Sequence, residues 1–594
     1  MNRHLKAALC IPFLIASCAF ASGNNYKNFD VATYATVRDV VLMNDPAYLE
    51  SHWEAMSKYV KYDKIYLETS RDMIIADQAS LDAAKKFFIS KGLRVSGGIT
   101  WTADERNGVT FCYSDPKQLQ KAIDIIQFTA KNFDEILFDD WGFTNCKTDD
   151  AIAAKGNQSW SQYRLALMDK VGRQLVAAAK AANPKVQVVI KYPQWYDHYQ
   201  ETGFNLETQP KYFDGIYTGT ETRDPVNNPM QIQQYHGYSI SRYLTNLNHN
   251  DRGGWVDAGD SGSSPNRYAE QLWITLFAKL PEITLWPIYT QYEPSMRADG
   301  TMVPDSRLGR IAGPVFEQVD QFIGKLGNPV GVKSYKPFHS SGEDYLQSYL
   351  GMVGIPMDIV PEFPTDAQTV LLTEQASFDP TIVTKIKKQL TDGKTVVITS
   401  GLLKALQGKG IEDIADLKYT GLTVSTHEFM AERRYVGVKS DSEILLPQIT
   451  YFTNDAGADI IAYTSGSKTS GDPVLLKTRY SKGLLYILTV PNAQGDLLCY
   501  PQPVLSQIRD VLAKDMFVRL DTPSQVGLYV YDNDKFIIES FRQDPMRAVV
   551  VTDKRITKLR DLQSGQLLTG TERAGGTSFE TPLNPGSYRV FSAE

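Results

Sequence analysis

The chain has 594 residues, too many for one ordinary domain and enough for three or four. Its 62 basic and 68 acidic side chains leave a net charge of −6, which offers no basic face to nucleic acid. At 42% hydrophobic residues several cores can be filled, and the 32 tyrosines and 8 tryptophans suit either core packing or the C–H faces of sugars.

Arg3, His4 and Lys6 precede an apolar run from Ala7 to Phe20, and Ala19-Phe20-Ala21 then forms a small-residue cleavage pattern before Ser22. The run is too short for a stable transmembrane anchor. Ile15-Ala16-Ser17-Cys18 also fits a bacterial lipobox, with a lipid anchor on Cys18. The expectation is export, to the periplasm or outer-membrane surface of a Gram-negative bacterium, with the mature chain starting at Cys18 or Ser22. Cys112, Cys146 and Cys499 then remain, an odd number. Cys112 and Cys146 follow neighbouring predicted strands and can meet, although two reduced thiols fit equally. No CxxC or HExxH spacing occurs, so neither a metal nor another cofactor is expected.

From about Phe29 to Val332 strands alternate with helices. Predicted strands run Val31–Val40, Tyr62–Glu68, Leu93–Trp101, Phe133–Asp140, Val186–Lys191, Phe213–Gly219, Trp255–Asp257 and Ile283–Ile288. Helices are expected over Ser80–Lys91, Pro116–Lys131, Trp160–Ala182 and Ala269–Ala278. Eight such units over some 300 residues predict an α/β fold, a (β/α)8 TIM barrel, rather than an open doubly wound sheet. No glycine-rich phosphate turn follows the first strand. Thr369–Leu372, a helix Asp379–Leu390 and Lys394–Thr399 then predict a smaller flavodoxin-like domain. Leu484–Val490 and a helix Val504–Ala513 extend it, with a β-rich insertion between Thr420 and Thr469. Short strands after Phe517 predict a small β-sandwich. The division is thus a leader over 1–22, a barrel over 23–332, the second domain over 333–516 and the sandwich over 517–594.

Barrel enzymes carry their chemistry at the C-terminal ends of the strands. Those positions hold Glu68, Trp101, Asp139, Asp140, Trp141, Lys191, Trp195, Glu221, Arg223, Asp257 and Trp286. Carboxylates, indoles and cations, with few histidines, are what glycosidic cleavage needs. One carboxylic acid protonates the leaving oxygen, and a carboxylate attacks the anomeric carbon or activates water. Asp140 and Glu221 are the candidate pair, with Asp257 and then Asp139 as rivals. Glu68, Trp101, Trp141, Lys191, Trp195, Arg223 and Trp286 are candidate substrate-binding residues. Each has a plainer reading: the Asp139-Asp140 doublet as a helix cap, Glu221 as an ion-pair partner of Arg223, and any one indole as core.

A barrel, a flavodoxin-like domain and a small β-sandwich, in that order, resemble the family 42 β-galactosidases of glycoside hydrolase clan A. The resemblance covers nearly the whole mature chain in layout. It implies a carbohydrate substrate and a homotrimer formed through the middle domain. The clan's Asn-Glu acid/base after strand four is here Phe138-Asp139-Asp140-Trp141, and its strand-seven glutamate nucleophile corresponds to Asp257. Acids after strands four and six are instead similar to the layout of α-galactosidase-type barrels. The expected function is therefore glycoside hydrolysis. A glycan-binding surface protein on a barrel that has lost catalysis is the alternative, and fold alone does not separate the two.

Overall fold

The computed structural model describes residues 25–139, 142–223, 232–257, 264–292, 306–431, 437–464 and 471–594, and the backbone of 295–296 and 302–303. Eight parallel strands form the first unit. They are β1 (Asp30–Ala35), β2 (Lys64–Arg71), β3 (Arg94–Thr100), β4 (Glu135–Asp139), β5 (Gln187–Tyr192), β6 (Gly215–Gly219), β7 (Asp251–Asp257) and β8 (Glu282–Trp286). Each pairs with the next, and β8 returns to β1 with Glu282 opposite Asp30, so the barrel is closed.

Strands covered on both faces read as unbroken apolar runs, and Ile136-Leu137-Phe138 of β4 is such a run, wholly buried. The first strand is shorter than expected. Thr36 and Asp39 form a capping box that turns Val37–Val40 into a helix, against the β-branched bias of the segment. The outer helices Gln78–Ser90, Pro116–Asn132, Trp160–Ala182 and Pro265–Phe277 open on Asp77, Asp115, Ser159 and Ser264, whose side chains accept backbone N–H groups.

Large side chains fill the barrel where glycine makes room. A Cβ at Gly98 would lie 2.5 Å from the Tyr34 ring, and one at Gly253 2.5 Å from that of Tyr217. At the opposite end from the mouth, Lys64 Nζ sits 2.5 Å from Glu135 and 3.2 Å from Glu282.

The second sheet begins as five parallel strands, ordered Met357–Val360, Val332–Tyr335, Thr369–Leu372, Thr395–Thr399, Gly483–Leu488. That is the flavodoxin order, 2-1-3-4-5. The expected insertion is not a separate layer. Leu417–Ala431, Gly437–Tyr451, Ala456–Thr464 and Gly471–Tyr480 continue the same sheet antiparallel, joined where Gly471–Tyr480 pairs with Gly483–Leu488.

Two antiparallel sheets after Phe517 enclose a core that includes Val518, Leu528, Val550 and Phe591. Pro329–Val330, leaving the barrel, pairs with Val530–Tyr531 of this last unit. Buried Arg509 donates to the carbonyls of Val353 and Thr522, both at 2.6 Å, and so ties the second and third units together.

Candidate active site

The ends of β4, β5, β6 and β7 converge on one mouth, as parallel closure requires. A cavity of about 210 Å³ lies there, with Asp139, Lys191, Glu221 and Asp257 in its wall. Lys191 is the hub. Its Nζ is 3.0 Å from Asp139 Oδ1 and 2.7 Å from Glu221 Oε1, and 4.4 Å from the centre of the Trp255 ring. Asp139 Oδ2 accepts from Arg71 Nη2 and from the Thr100 hydroxyl, each at 3.2 Å. Arg71 also donates Nε to both oxygens of Glu68 at 3.0 Å and Nη1 to Glu105 at 2.6 Å. Across the mouth, Asp257 accepts from Arg223 at 2.6 Å and from the Trp255 indole at 3.0 Å.

Local backbone features set these directions. β2 is bulged between Glu68 and Ser70. A bulge resets the alternation of side chains, which lets Glu68 and Arg71 meet. Arg223 has φ 56, a left-handed conformation uncommon outside glycine. Gly219 leaves space for a carboxyl group, since a Cβ there would lie 2.5 Å from Glu221 Oε2.

The two carboxyls on Lys191 differ in proton affinity. Burial, opposed by Lys191 and reinforced by the charge of Asp257, pushes Glu221 up to about 7. Its Oε2 has no hydrogen-bond partner among the described residues, which favours the protonated form. Burial acts on Asp139 too, but Lys191 and Arg71 outweigh it and hold that carboxyl below the usual range. At intermediate pH one group therefore carries a proton and its neighbour a charge.

Of the residues expected from sequence, Asp139, Lys191, Trp195, Glu221, Arg223, Asp257 and Trp286 line this cavity. Glu68 and Trp101 are not in its wall. Glu68 is wholly buried behind Arg71, where it accepts from Tyr34 at 2.9 Å and the Val37 N–H at 2.6 Å. Trp101 is 1% exposed and packs edge-on against Phe111 and Phe138, so it is a core residue and not a sugar platform. Asp140 and Trp141 lie outside the described residues. In place of the plainer reading of Glu221 as a partner of Arg223, Glu221 pairs with Lys191 and Arg223 with Asp257.

Glu105, Gln194 and Trp255 also line the cavity without having been singled out. Glu105 sits in a loop turn, where an acid carries no local signal of function. Cys112 and Cys146 form a disulfide, Cα–Cα 5.2 Å, joining the loops after β3 and β4, and Cys499 is free. Among the described residues no group of three or more His, Cys, Asp or Glu is arranged to hold a metal ion.

Residues 19–325 match the family model described as "Probable glycosyl hydrolase, catalytic domain". The chain belongs to this glycosyl hydrolase family. Residues 517–593 match the C-terminal domain model of the same description, and residues 327–493 match the model of the second domain of uncharacterized protein SSO3021. That Saccharolobus solfataricus protein is 22% identical to this family member over 593 residues, spanning 92% of this chain and 96% of its own.

Among solved structures, the β-galactosidase from Bacillus circulans sp. alkalophilus superposes with a TM-score of 0.65 at 11% identity, over 96% of this chain and 99% of that one. The exo-β-1,4-mannosidase from Opitutaceae bacterium strain TAV5 gives 0.51 at 11% identity, over 82% and 95%. The fold, barrel first and β-rich unit last, is thus the one found in family 42 β-galactosidases.

Proposed function

We propose that this protein hydrolyses glycosidic bonds, with Glu221 as proton donor and Asp139 as the ionised carboxylate that attacks the anomeric carbon. The observation that carries this reading is the shared ammonium: two buried carboxyls on Lys191, one raised to about 7 and one held low. Paired titratable groups pushed apart by their surroundings are how one site supplies acid and base at one pH. The nearer oxygens of the two carboxyls, at 3.0 and 2.7 Å from one nitrogen, are less than about 6 Å apart, which is compatible with the ~5–5.5 Å carboxyl spacing of retaining enzymes. Trp195 and Trp286, both half-buried in the same wall, supply faces for a sugar ring.

A panel of 4-nitrophenyl glycosides of both anomers, with NMR of the first-formed product, tests this. Hydrolysis with retention is expected, and its loss in Asp139→Asn and Glu221→Gln. Binding of sugars with no turnover of any substrate would leave the glycan-binding alternative standing instead.

Export belongs to the same proposal. The basic start, the Ala7–Phe20 run and the Ala19-Phe20-Ala21 pattern support it, and so does the Cys112–Cys146 disulfide, since such bonds persist in oxidising compartments. Mass spectrometry of the native protein should find a chain starting at Ser22 or at a lipidated Cys18. An intact Met1 refutes export.

A further inference from the structure

The loop after β5 carries Gln194 and Trp195 into the wall of the cavity. Part of what holds this loop comes from outside the barrel. His236, at the start of the barrel helix His236–Leu247, bonds the Gln194 carbonyl through Nε2 at 2.8 Å and the Ser348 hydroxyl through Nδ1 at 3.1 Å. A carbonyl only accepts, so Nε2 carries the proton and Nδ1 accepts from Ser348. Burial pushes His236 down to about 4, so the ring is neutral and this one tautomer is fixed across the neutral range.

Tyr345 grips the same loop twice. Its N–H donates to the Tyr196 hydroxyl at 2.8 Å and its own hydroxyl to Asp197 at 2.6 Å. Its ring lies 5.2 Å from that of Tyr196 and 5.1 Å from that of His236.

Both Tyr345 and Ser348 belong to the second domain, and their segment is strained. His339, Glu343 and Tyr345 have φ of 57, 48 and 66, left-handed values that side chains rarely adopt. Strain of this kind persists only where the surroundings over-determine it. They do so here. Glu343 accepts from the Glu374 N–H at 2.8 Å and the Gly401 N–H at 3.1 Å, and Asp344 accepts from Gln375 at 2.7 Å. The segment is thus anchored in its own domain and reaches the barrel with Tyr345.

We infer that the second domain helps build the substrate site, with Tyr345 and Ser348 as positioning residues that set the place of Gln194 and Trp195. The clamp is independent of which carboxylate does what, but its effect on catalysis rests on the glycosidase reading. Tyr345→Gly relieves the left-handed backbone and removes the ring and its hydroxyl bond to Asp197, leaving only the N–H. Tyr345→Phe and Ser348→Ala each remove one hydroxyl with little change in packing.

Hydrogen exchange is measured on the full-length protein over residues 193–199, with the helix Gln78–Ser90 as internal control. Kinetics use the aryl glycoside hydrolysed fastest by the wild type. Faster exchange at 193–199 alone is expected, greatest in Tyr345→Gly. KM should rise roughly tenfold in that variant, with kcat and the pH profile nearly unmoved, because the reacting carboxyls are untouched. A general folding defect would instead raise exchange in the control helix and lower the active fraction at constant KM. Unchanged exchange at 193–199, or faster exchange with unchanged KM, overturns the inference. If the wild type hydrolyses no glycoside, the functional reading fails and exchange alone decides the clamp.

Discussion

Replacing Glu221 by glutamine should silence the protein and at the same time make it more resistant to alkali. The native carboxyl titrates at about 7 and the unfolded one near 4.5. Between those values the native state holds a proton that the unfolded state has released, so wild-type stability falls as pH rises through that window. A displacement of that size corresponds to about 3 kcal/mol, present in full above pH 7 and absent below pH 4.5. Glutamine has no proton to lose. The variant should match the wild type at pH 4.5 and exceed it by up to about 3 kcal/mol at pH 8. Loss of the proton donor should cost at least about a hundredfold in kcat. Urea unfolding at pH 4.5, 6, 7 and 8, with turnover of one aryl glycoside, measures both effects. Near-native turnover refutes the assignment, and a stability difference that stays flat across that range refutes the proton affinity behind it.

The neighbours of Glu221 should move its titration in opposite senses. Asp257→Asn removes a negative charge, so the alkaline limb of the rate profile should shift below pH 7, whereas Lys191→Met removes a positive one and should shift it higher, in whatever activity remains. Movement of both limbs in the same direction contradicts the electrostatic account. Asp139→Asn leaves Lys191 and Arg71 each short of a buried counter-charge and should cost about 3 kcal/mol or more at neutral pH. Because Asp139 titrates below its ordinary value, that deficit should shrink in strong acid as the wild type loses the same charge, and chemical unfolding at pH 7 and pH 2.5 compares the two. Reducing the disulfide, which links residues 34 apart, should lower stability by about 4 kcal/mol with little change in kcat. Melting with and without dithiothreitol checks this, and an unchanged midpoint counts against a formed bond.

Much of the barrel was readable because its strands are buried on both faces, and runs such as Ile136-Leu137-Phe138 leave no other reading. Strand ends then named the mouth, which is why Asp139, Glu221 and Asp257 were found together. Trp101 lies in the core, because an indole at a strand end packs there as readily as it meets a sugar. Arg71 also lines the wall, past a bulge that breaks the two-residue alternation on which such assignments rest. The stretch from Thr420 to Thr469 was legible as β-rich, but the strand Gly471–Tyr480 beyond it was not. Nor was the continuity of these strands with the flavodoxin-type sheet, because pairing between distant strands leaves no local trace.

The strand at Pro329–Val330 imposes an order on biosynthesis. Its partner, Val530–Tyr531, is about 200 residues downstream, so at about 5–20 residues per second the ribosome makes that partner only ~10–40 s later. Until then the segment leaving the barrel is an open edge, able to recruit a foreign strand. A chain truncated before Val526 never closes that edge, and it also exposes Tyr235 and Phe277, whose rings pack on Tyr529. The last unit therefore works as a late-arriving seal, and proteins shortened from this end are expected to aggregate rather than survive as isolated barrels.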